Sequence, residues 1–168
     1  LAACFGAMMF ALSAPLSAQD ELAIGDNAPL TDFKMTNIDG QQWSLVDIAG
    51  ENGTLVIFTC NTCPFVVGRE GKSEGWEGRY NPVINFARER GIGTALVNSN
   101  EAKRKGDDSL EAMKKHAVDA GYIAPYLVDA GHKLADGFGA RTTPHIYLFD
   151  SDFRLVYRGS IDDSVNST

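Results

Sequence analysis

Residues 58–66, FTCNTCPFV, place two cysteines, Cys60 and Cys63, three positions apart. Such a pair can be a redox centre, half of a metal site or a structural staple. A closed zinc site would need further ligands. The only other cysteine is Cys4, and the three histidines, His116, His132 and His145, are scattered along the chain. As a staple, a disulfide closing so short a loop removes little entropy from the unfolded chain. Redox chemistry fits best: one thiolate attacks a disulfide sulfur and the second resolves the mixed disulfide.

The neighbouring residues say where the pair must sit. Residues 54–59, TLVIFT, form a continuous β-branched and aromatic run, the pattern of a strand buried on both faces. Pro64 is compatible with a helical first turn, whose amides have no intrahelical acceptor. The cysteines are therefore expected at the carboxyl end of a central strand, where a helix starts and where open α/β sheets carry their chemistry. A thiol there faces unpaired N–H groups and the positive end of the helix dipole, which predicts a lowered pKa. Cys60 is assigned as nucleophile and Cys63 as the resolving thiol.

The elements that position this pair follow from periodicity and turn signals. Two short extended runs flank Asp39-Gly40 and predict an N-terminal hairpin. NPVINFARERG predicts a helix with Asn81 as N-cap, Pro82 in the first turn, Val83, Phe86 and Ala87 on one face, and Gly91 as the stop. Residues 92–99 read as a second buried strand. DDSLEAMKKHAVDAG predicts a helix with Asp108 and Glu111 as a capping box and Leu110, Met113 and Ala117 as its apolar stripe. A short strand (PYLVD), a short helix (HKLADGF) and the strand after Thr143-Pro144 come next. The last strand alternates Phe153, Leu155 and Tyr157 on one face, after a tight turn at residues 150–152. Strands alternating with helices and ending in an antiparallel hairpin give an α/β sandwich with a mixed central sheet.

At 168 residues and a formal net charge of −7, the chain suits one domain with a sizeable core. Lys103-Arg104-Lys105 is followed at once by Asp107 and Asp108 and reads as a solvated loop, so nucleic acid is not an expected partner. Residues 1–18 carry no charge and pass from an apolar run into SAPLSA, as a secretory leader does; cleavage is expected near Ala18. The sequence is expected to start inside that leader. Residues 19–30 are then a polar linker, and residues 31–168 the domain. Export to the periplasm or beyond is the expectation, with a membrane contact only through an uncleaved leader. Removal of the leader takes Cys4 with it.

CNTCPFV after a buried strand, NSNE after the next strand, DAGHKLADGFGARTTPH and YRGSIDDS together resemble the thioredoxin-like superfamily. The resemblance is closest to its exported redoxin members, related to the AhpC/TSA group, and runs from about residue 24 to residue 164. It implies a three-layer α/β sandwich and thiol–disulfide oxidoreductase activity on a protein disulfide or thiol, with no cofactor and no metal. It also makes Pro144 the cis-proline beside the active site and assigns the Thr143 backbone to docking an extended substrate. Thioredoxins carry a buried Asp in the strand before the cysteines; the matching position here is Thr54, and Glu101 is the candidate replacement. A closing C-terminal helix, normal for the fold, is expected to be missing.

Two rivals stand beside this reading. A peroxiredoxin would match Cys63-Pro64, but its Thr, Pro and activating Arg fall on Cys60, Val56 and Pro144. A copper chaperone of the Sco type would use the thiolates and His145, but it spaces its cysteines by three residues rather than two. Of the other conspicuous residues, His116 is expected solvated and His132 to be a polar cap. Trp76 and Phe86 are expected in the core or around the CxxC helix, and Asp162-Asp163 facing solvent or capping a further helix.

Overall fold

The computed structural model describes residues 20–165; the expected leader lies outside them. Its strands are β1 (Met35–Asn37), β2 (Gln42–Trp43), β3 (Gly53–Thr59), β4 (Ile92–Asn98), β5 (Tyr126–Val128), β6 (His145–Phe149) and β7 (Leu155–Gly159). Its helices are α1 (Leu45–Ile48), α2 (Pro64–Val67), α3 (Tyr80–Arg88), α4 (Leu110–Asp119) and α5 (Lys133–Phe138). The strands form one sheet in the order β2-β1-β5-β4-β3-β6-β7. The central strands β3, β4 and β5 run parallel, and β1, β2, β6 and β7 join antiparallel. The expected mixed α/β sandwich with an N-terminal hairpin is the observed fold.

Every residue of β3 is buried, because helices cover both faces of the sheet. Its alternation divides the core. Val56 and Phe58 point into one cluster with Leu134 and Phe138 of α5 and Tyr147 and Phe149 of β6. Leu55 and Ile57 point into the other, with Ile84 of α3, Met113 of α4 and Val66 of α2. At the hairpin tip Gly40 takes φ +87°, which the Asp39-Gly40 turn requires, and Asp39 Oδ1 accepts the Gln41 amide at 2.9 Å.

Several local expectations are corrected. Helix α3 starts at Tyr80, so Asn81 lies inside it, and its side chain donates to the Gly121 carbonyl at 2.8 Å instead of capping. The helix buries Tyr80, Ile84 and Ala87. Phe86 is 58% exposed, with the Arg90 guanidinium 3.3 Å above its ring. Helix α4 is capped by Ser109, whose Oγ accepts the Ala112 amide at 3.3 Å, which frees Asp108 for other partners. Leu110 at its start is partly exposed, while Met113 and Ala117 are buried.

In the last hairpin, Leu148 pairs with Tyr157 but Phe149 pairs with Leu155. This bulge gives β7 one extra residue. Leu155 therefore joins the α5-side core, whereas Tyr157 stands on the opposite face and stays partly exposed. Residues 20–30, expected as a linker, lie as a strap along β7 and α5. Leu22 N donates to Phe138 O at 3.1 Å, and Gly25 N and Ala28 N donate to Leu155 O and Phe153 O, each at 2.8 Å. No helix among the described residues is long and apolar enough to cross a membrane.

Ile57 is fully buried at the centre of the sheet. Ile57→Ala is expected to cost about 2–5 kcal/mol, to be read from the shift of the urea midpoint at unchanged slope.

Candidate active site

The register between β3 and β6 builds the site. Phe58 pairs with His145, so two residues further along β3 the chain comes level with Thr143. Cys60 Sγ lies 3.4 Å from Thr143 Oγ1, and the Cys63 thiol donates to the Thr143 carbonyl at 3.3 Å. The Thr143-Pro144 bond is cis. Both cysteines are thiols, and both converge on one residue 80 or more positions away in sequence.

The two sulfurs have different surroundings. Helix α2 begins only at Pro64, has four residues, and takes Cys63 as its N-cap in an extended conformation. The Cys63 carbonyl accepts the Val66 and Val67 amides at 2.8 and 2.9 Å. Cys60 lies ahead of the helix, 5% exposed, packed with Val66, Tyr80 and Ile146. Burial pushes the Cys60 thiol up from its usual pKa. The Thr143 hydroxyl and the Thr62 and Cys63 amides, which favour the thiolate, offset this only in part. The lowered pKa expected from a helix N-terminus is therefore not found. The reason is the packing that covers the sulfur, and helix α2 begins only after Cys63.

The loop between the cysteines is held by a polar web that the sequence did not announce. Asp108, fully buried, accepts the Asn61 amide at 2.8 Å, Asn98 Nδ2 at 2.7 Å and Asn100 Nδ2 at 2.7 Å. Asn61 Oδ1 accepts the Tyr126 hydroxyl at 2.8 Å, and Asn61 Nδ2 donates to the Asp107 carbonyl at 2.7 Å. Arg104 donates to the carbonyls of Asn98 and Asp108, each at 2.8 Å, and Lys103 Nζ donates to Thr62 Oγ1 at 3.0 Å. The segment read as a solvated basic loop thus clamps the CxxC loop. Asp108 was masked in the sequence by its apt position for a helix cap.

Other candidates fall elsewhere. Thr54 is buried, and its hydroxyl finds no partner among the described residues. Glu101 bonds to Gly131 N and Arg104 Nε, each at 3.1 Å. Burial raises its carboxyl pKa, but these two donors outweigh it and hold the group below its usual value. Its hydrogen bonds do not reach the cysteines.

His145 turns toward the N-terminal strap, with Nε2 3.1 Å from Glu21 Oε1 and Nδ1 3.5 Å from the Tyr147 hydroxyl. Burial lowers its pKa against the pull of Glu21. Among the described residues no three His, Cys, Asp or Glu side chains are grouped to hold a metal ion. His116, expected solvated, is part-buried against Glu77. His132 sits exposed beside Asp136 at 2.7 Å. Trp76 stacks on Phe65 with ring centroids 6.5 Å apart and donates to Asp162 at 3.0 Å, so it covers α2 as expected.

No protein-family model matches the chain, and no curated protein matches it. Among solved structures, an uncharacterized conserved protein from Geobacillus kaustophilus is 35% identical at TM-score 0.76, over 87% of this chain and 73% of that one. The thioredoxin domain of a thiol-disulfide oxidoreductase from Bacteroides vulgatus is 20% identical at TM-score 0.62, over 82% and 89% of the two chains. The chain belongs to the family of the Geobacillus protein, and its fold is thioredoxin-like. A peroxidoxin from Mycobacterium tuberculosis shares the same thioredoxin-like fold at 16% identity and TM-score 0.64, over 85% of this chain and 88% of that one.

Because burial raises the Cys60 pKa, its thiol is half ionised only at a pH above that at which an ordinary thiol is. In a Cys63→Ser background, the midpoint of the pH–rate profile for alkylation of Cys60 by iodoacetamide is expected to lie above that of an ordinary thiol, pH ~8.5. Thr143→Val, which removes a donor to the thiolate, should move the profile to still higher pH. Mass spectrometry of quenched samples reads both. Asp108→Ala leaves the buried Asn61 amide without its acceptor. It should cost about 1–3 kcal/mol and strip that amide of hydrogen-exchange protection while β4 keeps its own.

Proposed function

We propose that this protein is a thiol–disulfide oxidoreductase working through Cys60 and Cys63. The observation that carries the reading is the convergence of both sulfurs on Thr143, next to cis-Pro144, at the carboxyl end of the central strand. Deprotonated Cys60 attacks one sulfur of a substrate disulfide. The S–S bond breaks, Cys60 becomes bonded to one half, and the other half leaves as a thiolate that takes up a proton. Cys63, deprotonated in turn, attacks the Cys60 sulfur, closes the Cys60–Cys63 disulfide and releases the second half as a thiol. The substrate gains two electrons and the enzyme loses two. The reverse sequence oxidises a dithiol.

Donors aimed at Cys60 support its role as the attacking sulfur. Its thiolate would be met by the Thr143 hydroxyl and two amides, whereas the Cys63 thiol is itself the donor to the Thr143 carbonyl. An extended protein disulfide or thiol would dock along Thr143-Pro144. There Phe65, Trp76 and Ser160 edge an apolar groove of about 340 Å³. The uncharged stretch at residues 1–18 supports action in the periplasm or another exported compartment.

Incubating the reduced protein with a protein disulfide should trap a mixed disulfide on Cys60 in Cys63→Ser and none in Cys60→Ser. In stopped flow, oxidation by hydrogen peroxide should be no faster than that of a simple thiol. Trapping on Cys63 instead would reverse the roles. A peroxide rate orders of magnitude faster, lost specifically in Cys63→Ser, would make the protein a peroxidase.

A further inference from the structure

Cys60, almost completely covered, lines one open cavity, of about 530 Å³. That volume is in the range of small-molecule sites. A buried sulfur is harder for a disulfide on a protein surface to reach than for a small molecule able to enter. The apolar groove and this cavity are two different approaches to the same loop, divided by Thr142 and Thr143, which line both.

The cavity's charge runs against that of the chain. The protein carries a net −7, yet the charged groups on the wall are Lys103, Arg141 and a single carboxylate, Asp136. Asp136 is already engaged by His132 at 2.7 Å. Lys103 is held beside the cysteines by its bond to Thr62 at 3.0 Å, with Asp107 at 3.2 Å as its partner outside the lining. Arg141, two residues before Thr143, forms no ion pair with any described residue. A pocket walled by cations in an acidic protein raises the local concentration of anions.

Resting on the thiol–disulfide reading, we propose that this cavity is a binding site for low-molecular-weight disulfides bearing carboxylates, which Lys103 and Arg141 hold against Cys60. The reaction is the exchange described above with both leaving groups small. Enzyme dithiol and R–S–S–R give enzyme disulfide and two R–SH, with two electrons passing to the ligand and one proton to each released thiolate.

The test uses three disulfides of similar size: 3,3′-dithiodipropionate (anionic), bis(2-hydroxyethyl) disulfide (neutral) and cystamine (cationic). Single-turnover oxidation of the reduced full chain is followed with each. Each rate is divided by that of dithiothreitol under the same conditions, which removes differences in leaving-group reactivity. The normalised preference for the anion over the cation should be roughly tenfold or more at low ionic strength. It should shrink as salt is added and fall several-fold in Arg141→Gln. A ratio at or below one, or one that neither salt nor Arg141→Gln alters, would overturn the proposal while leaving the exchange reading intact. Reaction with none of the three would overturn the proposal as well, and the protein-disulfide trap on Cys60 described above then decides whether the exchange reading stands.

Discussion

The antiparallel pairing of β3 with β6 is the constraint on which the site depends. With Phe58 opposite His145, the residues that follow β3 and precede β6 meet at the same end of the sheet. Both cysteines come within reach of Thr143 for that reason. A slip of one residue would turn every side chain of β3 to the other face. Val56 and Phe58 would then trade places with Leu55 and Ile57 between two differently shaped cores. The fully buried strand fixes the register because both of its faces are committed.

Around that frame the chemistry is a balance of opposing electrostatic effects. Covering Cys60 disfavours its charged form, while two amides and one hydroxyl favour it. The two amides are there because the CxxC loop folds back on itself, and Asp108 holds it folded from the β4–α4 segment; the hydroxyl comes from Thr143, ahead of β6. A carboxylate buried among asparagine and backbone N–H groups keeps its acceptors satisfied without an ion pair. The same segment sends Lys103 to Thr62, so one stretch of chain braces the loop and colours the cavity beside it.

The site therefore has two aspects. One is an apolar groove by cis-Pro144, edged by Phe65 and Trp76; the other is a cationic cavity opening on Cys60. The separation is carried by Thr142 and Thr143, whose position follows from the β3–β6 register. His145, directly after the proline, faces the other way, where Glu21 of the N-terminal strap meets it. The strap thus packs on the strand that follows the proline, and its contacts are with β6, β7 and α5 rather than with the cysteines.

The sequence by itself determined the sheet strands, the hairpin at Asp39-Gly40, the α/β class and the CxxC at a strand end. These follow from local periodicity and turn chemistry, which are properties of neighbouring residues. Tertiary structure decided what depends on distant partners. Phe86 faces solvent because α3 presents Tyr80, Ile84 and Ala87 to the core. Tyr157 changed face because β7 bulges against β6. Asp108 became a brace rather than a cap because Asn61, 47 residues earlier, offered its amide. The Cys60 pKa goes up rather than down because packing covers the sulfur. Spacing could pair the cysteines, but only burial could set the acidity of Cys60, because desolvation is a property of everything packed around the sulfur.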